Sequence, residues 1–325
     1  MGKPGLLAER VLPTEIEIEF ISQCNANCVA CPRDNLPAQG RLDSVTLERI
    51  LAIRAAILED YRPLADLPLD DLPRITIAGG GEPFLNSNAI QLLEQIKGHT
   101  ENFHIITNAS ALTSKRIEEL MEVAPASITC SFWGIAQDEY EAAMRLPYER
   151  SLDRVIKTAR AARVAGVPFK VEWVGVPEIK STDKEIVEFW TSRGVACGLT
   201  GGKLWNRADQ LPAEYQQYLP DQIEAPDTSK PIWCTEVAFS LTFGWNGECL
   251  MCCCDYFNGS RIPLGSVLTD DWETLKQRKR AVLEARPIPP MCARCKLPRK
   301  DQAEWLVGSL MPLLQESDRA LFAHH

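Results

Sequence analysis

From residue 15 the chain reads Glu-Ile-Glu-Ile-Glu-Phe-Ile-Ser, alternating acidic and apolar positions. Alternation at period two predicts a strand with one buried face over 15–22. The period then changes. Leu47, Ile50, Leu51, Ile53, Ile57 and Leu58 recur at helical spacing, which predicts a helix over 43–60 capped by Asp43 or Ser44. A proline-bearing stretch, 63–73, breaks it. The exchange of periods then repeats, with strands predicted at 74–78, 103–107, 127–132, 169–176 and 195–200 and helices at 87–97, 112–123, 151–165 and 183–193. Six strands, each separated from the next by helix, predict parallel βαβ units. Past residue 201 this order stops. Residues 203–231 are polar and proline-bearing and read as a connector. Beyond it the pattern predicts a hairpin, 237–243 with 248–252, about the turn Gly244-Trp245-Asn246-Gly247. A helix over 271–284, a cysteine pair and a last helix over 301–315 follow. The chain thus divides into 1–202, 203–231 and 232–325.

Composition narrows the class. A length of 325 residues suits one large domain with a smaller one, and 45% apolar content suits a substantial core. The formal net charge of −9 argues against a broad nucleic-acid footprint, which is usually basic. No apolar run approaches the ~20 residues of a membrane span. Residues 1–11 lack the apolar core of a signal peptide, so the expected location is cytoplasmic. In that reducing setting the 12 cysteines are expected to be metal ligands rather than disulfides.

Three of them stand in one short run, Cys24-Asn25-Ala26-Asn27-Cys28-Val29-Ala30-Cys31, directly after the first predicted strand. A [4Fe–4S] cluster usually takes four cysteines. Three leave one iron open, and an open position marks a catalytic rather than a structural metal site. Half of a zinc site is the alternative. The C-x3-C-x2-C spacing resembles that of the radical S-adenosylmethionine (SAM) enzymes. The resemblance implies a partial (β/α)6 TIM-like barrel. It also implies a [4Fe–4S] cluster on Cys24, Cys28 and Cys31 whose open iron binds the amino and carboxylate groups of SAM. An electron supplied by a flavodoxin- or ferredoxin-type reductant would cleave SAM to a 5′-deoxyadenosyl radical, which removes a substrate hydrogen. In parallel barrels the chemistry sits at the C-terminal ends of the strands, where this loop falls.

Further motifs fit the same resemblance. Gly80-Gly81-Glu82-Pro83 follows the second strand and is similar to the family's GGEP turn, whose backbone and Glu hold the SAM amino group. Thr107-Asn108 ends the third strand and is similar to a Thr-Asn-Gly, with Ala109 in place of the Gly. Ser131 ends the fourth, where the family often places a Ser for the SAM ribose or carboxylate, and Arg145 is a candidate partner for that carboxylate. Plain readings are a strand-end hydroxyl and a solvated charge. Tyr148 and Glu172 are proton-transfer candidates by position, while Trp133 and Trp173 face either substrate or core.

Cys234, Cys252, Cys292 and Cys295 form a second constellation, with Cys252 in the run Cys252-Cys253-Cys254-Asp255 and Leu264-Gly265-Ser266-Val267 beyond it. This resembles the C-terminal SPASM and twitch extensions of radical SAM enzymes and implies one auxiliary [4Fe–4S] cluster. A structural Zn(Cys)4 site is the alternative, and Cys253 the alternative ligand to Cys252. The four histidines form no convincing metal pair. The expected function is therefore a radical SAM oxidoreductase acting on a small carbohydrate or aminocyclitol, with the auxiliary cluster accepting an electron. The alternatives are a peptide maturase that cross-links or epimerises, and a non-catalytic iron–sulfur or zinc protein.

Overall fold

The computed structural model describes residues 13–36, 38–61, 72–199, 204, 210–219, 234–257, 263–285 and 287–295. The expected helix over 301–315 and most of the connector lie outside the described residues. Among the described residues, nine strands form one sheet: β1 Glu15–Ile18, β2 Arg74–Ile77, β3 Phe103–Thr107, β4 Ser127–Ser131, β5 Phe169–Trp173, β6 Ala196–Leu199, β7 Ser240–Phe243, β8 Glu248–Leu250 and β9 Gly265–Ser266. Their order is β6-β5-β4-β3-β2-β1-β7-β8-β9, so the sheet is open. All pairs from β6 to β7 are parallel, and the last two are antiparallel. The fold is the α/β class that the alternating periods predict.

The helices are α1 Ser44–Tyr61, α2 Ala89–Lys97, α3 Ser114–Val123, α4 Gln137–Met144, α5 Tyr148–Ala165, α6 Asp183–Thr191, α7 Thr235–Phe239, α8 Trp272–Glu284 and α9 Pro290–Arg294. Three of these depart from the sequence reading. Helices α4 and α9 had no predicted counterpart. Helix α7 occupies Val237–Phe239, which the sequence reading gave to a strand; only Ser240–Phe243 is extended. A short apolar run cannot distinguish a buried helical turn from a strand, and here the turn precedes the strand without a break.

Strand alternation divides the sheet into two faces. Ile16, Ile18, Ile75, Ile77, Phe103, Ile105, Ile128, Cys130, Val171 and Trp173 are buried in the main core, which settles Trp173 as a packing residue. Most in-register neighbours on the opposite face are polar, Glu17 with Thr76, Thr76 with His104, Thr129 with Lys170, and Ser131 with Glu172, while Ile106 lies there beside Thr129. The C-terminal hairpin extends this sheet. Strand β7 pairs with β1 from Glu15↔Ser240 to Ile18↔Phe243. Its turn requires Gly247, whose φ of 79° lies in the left-handed region.

Candidate functional site

The chain leaving β1 forms the three-cysteine loop, and distant segments hold it. Asn27 N–H donates to the Met144 carbonyl (3.2 Å) and Val29 N–H to the Ala143 carbonyl (3.0 Å). These are last-turn carbonyls of α4, which lack partners within their own helix. The Arg33 guanidinium donates to the Cys24 carbonyl at 2.9 Å and also to the Ala26 carbonyl. Cys31 N–H closes back on the Cys28 carbonyl at 3.0 Å. The Asn108 side-chain amide reaches Asn25 Oδ1 at 3.3 Å and lies 3.7 Å from Cys24 Sγ.

Burial pushes the Cys24 thiol up to about 11, with the charges of Glu82 and Cys31 adding and the Ala26 N–H and Arg33 opposing. Burial raises Cys28 as well, and the neighbouring Cys31 and Cys24 thiols add to it. The Cys24 and Cys28 thiols thus each have Cys31 as a neighbour. The donor set is soft and half-buried, which fits an iron–sulfur group. Among the described residues, no group of three His, Cys, Asp or Glu side chains is gathered to hold one metal ion.

The turn after β2 packs against the same loop. A Cβ added to Gly81 would stand 2.1 Å from the Ile21 carbonyl oxygen and 2.4 Å from that of Gln23, so only glycine fits there. Glu82 N–H donates to the Gln23 carbonyl at 2.9 Å. Gly80 N–H donates to Glu19 Oε1 at 2.9 Å. The Glu82 carboxylate turns inward, accepting from Phe84 N–H (3.2 Å), Thr107 Oγ1 (2.6 Å) and Asn108 N–H (2.7 Å). Burial raises it to about 6, against those three hydrogen bonds. Glu82 thus ties the end of β2 to the end of β3, and Pro83 opens the turn that follows it. Ala109, where the resemblance expected Gly, sits at φ 57°, the left-handed conformation that costs a Cβ-bearing residue about 1–2 kcal/mol.

The structure thus joins Cys24, Cys28, Cys31, Gly80, Gly81, Glu82, Pro83, Thr107 and Asn108 at the C-terminal ends of β1 to β3. Ser131 and Arg145 are not hydrogen-bonded into this network among the described residues. Ser131 is half-buried at the end of β4, and exposed Arg145 caps α4 in a left-handed conformation at φ 55°. Tyr148 is tied up, its phenol donating to the Ile135 carbonyl at 2.6 Å. Two supports escaped the sequence reading. One is Arg33, which donates to the Cys24 and Ala26 carbonyls. The other is α4, whose N-terminus is pinned by Glu139. That carboxylate accepts from Ile135 N–H (3.1 Å), Ala136 N–H (3.3 Å), Lys180 N–H (2.7 Å) and Ser181 N–H (2.5 Å).

The second cysteine set also converges. Cys252, Cys254 and Cys292 are buried in one cluster with Val237, Met251 and Met291, and half-buried Cys234, Cys253 and Cys295 pack against it. Cys254 contacts the Cys252, Cys253 and Cys295 thiols. Burial pushes Cys234 up to about 12, the neighbouring Cys252 adding to it. Cys253 packs in addition against the cluster of Leu250 and Tyr256, which Cys31 and Leu36 also join. The two cysteine sets are therefore linked through the turn Cys253–Phe257. Cys130 and Cys249 are both buried in the main core, on β4 and β8 respectively.

An α/β sheet that carries three cysteines on the loop after its first strand presents soft ligands at the strand ends. The Radical SAM superfamily model matches residues 18–189, and the chain belongs to that superfamily. Membership implies SAM and a [4Fe–4S] cluster. A GTP 3′,8-cyclase of Rhodopseudomonas palustris (strain TIE-1) is 24% identical over 63% of this chain and 56% of the relative. The chain therefore matches little more than half the length of that relative. BtrN, solved in complex with AdoMet and 2-DOIA, is similar with a TM-score of 0.51 and 19% identity over 88% of this chain and 94% of BtrN. SuiB of Streptococcus suis, solved with its precursor peptide SuiA, gives a TM-score of 0.54 and 16% identity over 82% of this chain and 65% of SuiB.

Proposed function

We propose that the protein is a radical SAM oxidoreductase that removes hydrogen from a small polar substrate and passes an electron to an auxiliary [4Fe–4S] cluster. When bound, the first cluster and SAM supply a radical able to take hydrogen from an unactivated C–H bond. The chain's part is to hold and orient. Cys24, Cys28 and Cys31 would ligate three irons. The Gly80–Gly81 backbone, Asn108, Ser131 and Arg145 would position SAM beside the open one. Cys234, Cys252, Cys292 and Cys295 would hold the auxiliary cluster, with Cys253 and Cys254 within the same pocket.

The observation that carries this reading is the packing of the second cysteine set in one cluster, linked to the first through the Cys253–Phe257 turn. A carrier protein needs no glycine turn pressed onto its metal loop. The polar face of the sheet, with Thr129, Ser131 and Glu172, favours a hydroxylated or amino-bearing small molecule such as a carbohydrate or aminocyclitol. Apolar side chains would offer such a substrate no hydrogen bonds.

Anaerobic reconstitution tests the reading. About eight irons per chain, with 5′-deoxyadenosine formed from SAM under dithionite, is the expected result. Cys28→Ala should abolish 5′-deoxyadenosine while about four irons remain. Retained SAM cleavage in that variant would overturn the assignment of the first loop. Substrate class follows from hydrogen transfer into 5′-deoxyadenosine with an aminocyclitol, GTP or a short peptide. GTP turnover would place the chain with its cyclase relatives, and peptide turnover would replace the small-molecule reading.

A further inference from the structure

Helix α8 buries one stripe of side chains, and the stripe contains a lysine. Trp272, Leu275, Lys279 and Leu283 recur at helical spacing, and all four are buried. Leu275 packs in the main core and Leu283 in the cluster of cysteines. Lys279, between them, is 0% exposed. Its Nζ donates to the Ser240 carbonyl at the start of β7. Burial pulls its pKa below the ordinary lysine value, and Cys249, Cys252, Cys234 and Glu236 lie close enough to oppose that shift.

A buried ammonium is costly unless negative charge accompanies it. One carbonyl does not supply that charge. Neutral Cys234, Cys249 and Cys252 thiols would not either, and Glu236 would supply a single charge. Thiolates bound to metal would. Two of the neighbouring thiols, Cys234 and Cys252, belong to the set assigned to the auxiliary cluster, and a [4Fe–4S] group on four thiolates is an anion that gains further negative charge on reduction. A leucine would fill the stripe without cost, so the position is explained by the charge rather than by packing.

We infer that Lys279 is the resident counter-charge of the auxiliary cluster, a positioning residue that stabilises the reduced form of the cluster and so raises its reduction potential. The inference rests on the assignment of that cluster to Cys234, Cys252, Cys292 and Cys295. Net charge near a cluster is among the main determinants of its potential. Lys279 would thereby set how readily the cluster accepts an electron from the substrate.

The test uses the full chain carrying Cys24→Ala, Cys28→Ala and Cys31→Ala, so that only the C-terminal set takes iron. The readout is the midpoint potential, followed by EPR of the reduced cluster. Lys279→Gln keeps a donor for the Ser240 carbonyl but removes the charge. It should lower the potential by the equivalent of a tenfold change in reduced over oxidised cluster, about 59 mV for one electron. Lys279→Arg should stay within a third of that shift. Equal potentials in the parent, the Gln and the Arg variants, all with about four irons, would overturn the inference while leaving the cluster standing. Zinc in place of iron in the parent protein would overturn the cluster assignment and the inference with it. If Lys279→Gln fails to fold, Lys279→Met in the same background carries the comparison.

Discussion

At the scale of single residues, the first cysteine loop is held by side chains that bond its backbone, Arg33 foremost. The three-cysteine spacing lies within eight residues, so it is readable without a fold. Arg33 lies two residues past the last cysteine, but its role appears only when its guanidinium is seen to donate to the Cys24 and Ala26 carbonyls. Gly81 is legible as part of a motif, and the reason for it is steric. Its missing Cβ makes room for the Ile21 and Gln23 carbonyls. Backbone atoms cannot step aside as a flexible side chain would. Gly81→Ala should therefore cost about 3 kcal/mol through overpacking. The expected result is a lower denaturation midpoint together with loss of iron from the first loop, measured by chemical denaturation and iron assay. A variant with unchanged stability and about eight irons would refute the close-approach argument. Lys279 was hidden for the opposite reason. It is a charged residue at an apolar position, and pattern reading assigns such a residue to the surface.

At the scale of elements, β1 to β6 were legible because strand and helix periods alternate cleanly, and the short run of α4 was not. Its sequence, Gln-Asp-Glu-Tyr-Glu-Ala-Ala-Met, spans barely two turns and starts with three polar residues. Yet α4 is a hinge point of the site, since its last carbonyls receive Asn27 and Val29 and its first turn is locked by Glu139. Burial acts to raise the Glu139 carboxyl, but hydrogen bonds from Ser181 and from the Ile135 and Ala136 N–H groups outweigh it and hold the group below its ordinary value. A depressed folded-state pKa contributes stability above the unfolded value, about 4.3 for Glu, and that stability is lost as pH falls through the folded value. Glu139→Gln should therefore cost about 2 kcal/mol at pH 7, the range of a hydrogen bond to a charged group. The gap between wild type and variant should close as pH drops below about 4.3. Thermal melts of the two proteins at stepped pH check this. A gap that stays constant down to acid pH would show that Glu139 acts through packing alone.

At the scale of the whole molecule, the sequence reading drew a boundary near residue 202, and the sheet crosses it. The contrast between a strand–helix alternation and a polar connector is real in the pattern. Pattern alone cannot show that a distant strand returns to the edge of the first one. Strand β7 does return, pairing with β1 along four residues and placing Leu241 and Phe243 in the same core as Ile16 and Ile18. A second contact reinforces it. Glu19 at the end of β1 accepts from Gly80 N–H and, at 3.3 Å, from Trp245 N–H in the hairpin turn. The Trp245 ring lies so close to Gly40 that an added Cβ there would meet it at 2.3 Å. The first cysteine loop is thus flanked by segments of the C-terminal hairpin. Removing them would strip β1 of one neighbour, leave an unpaired edge, and expose core that Leu241 and Phe243 cover at about 2–3 kcal/mol each. A fragment ending at residue 202 should therefore fail to show a cooperative thermal transition, whereas the full chain should unfold in one. The measurement is calorimetry of both proteins under anaerobic conditions, with the fragment's near-UV dichroism as a second reading of packing. A fragment with its own sharp transition and native dichroism would mean that the barrel strands fold alone and that β7 is an accessory rather than a part of their core.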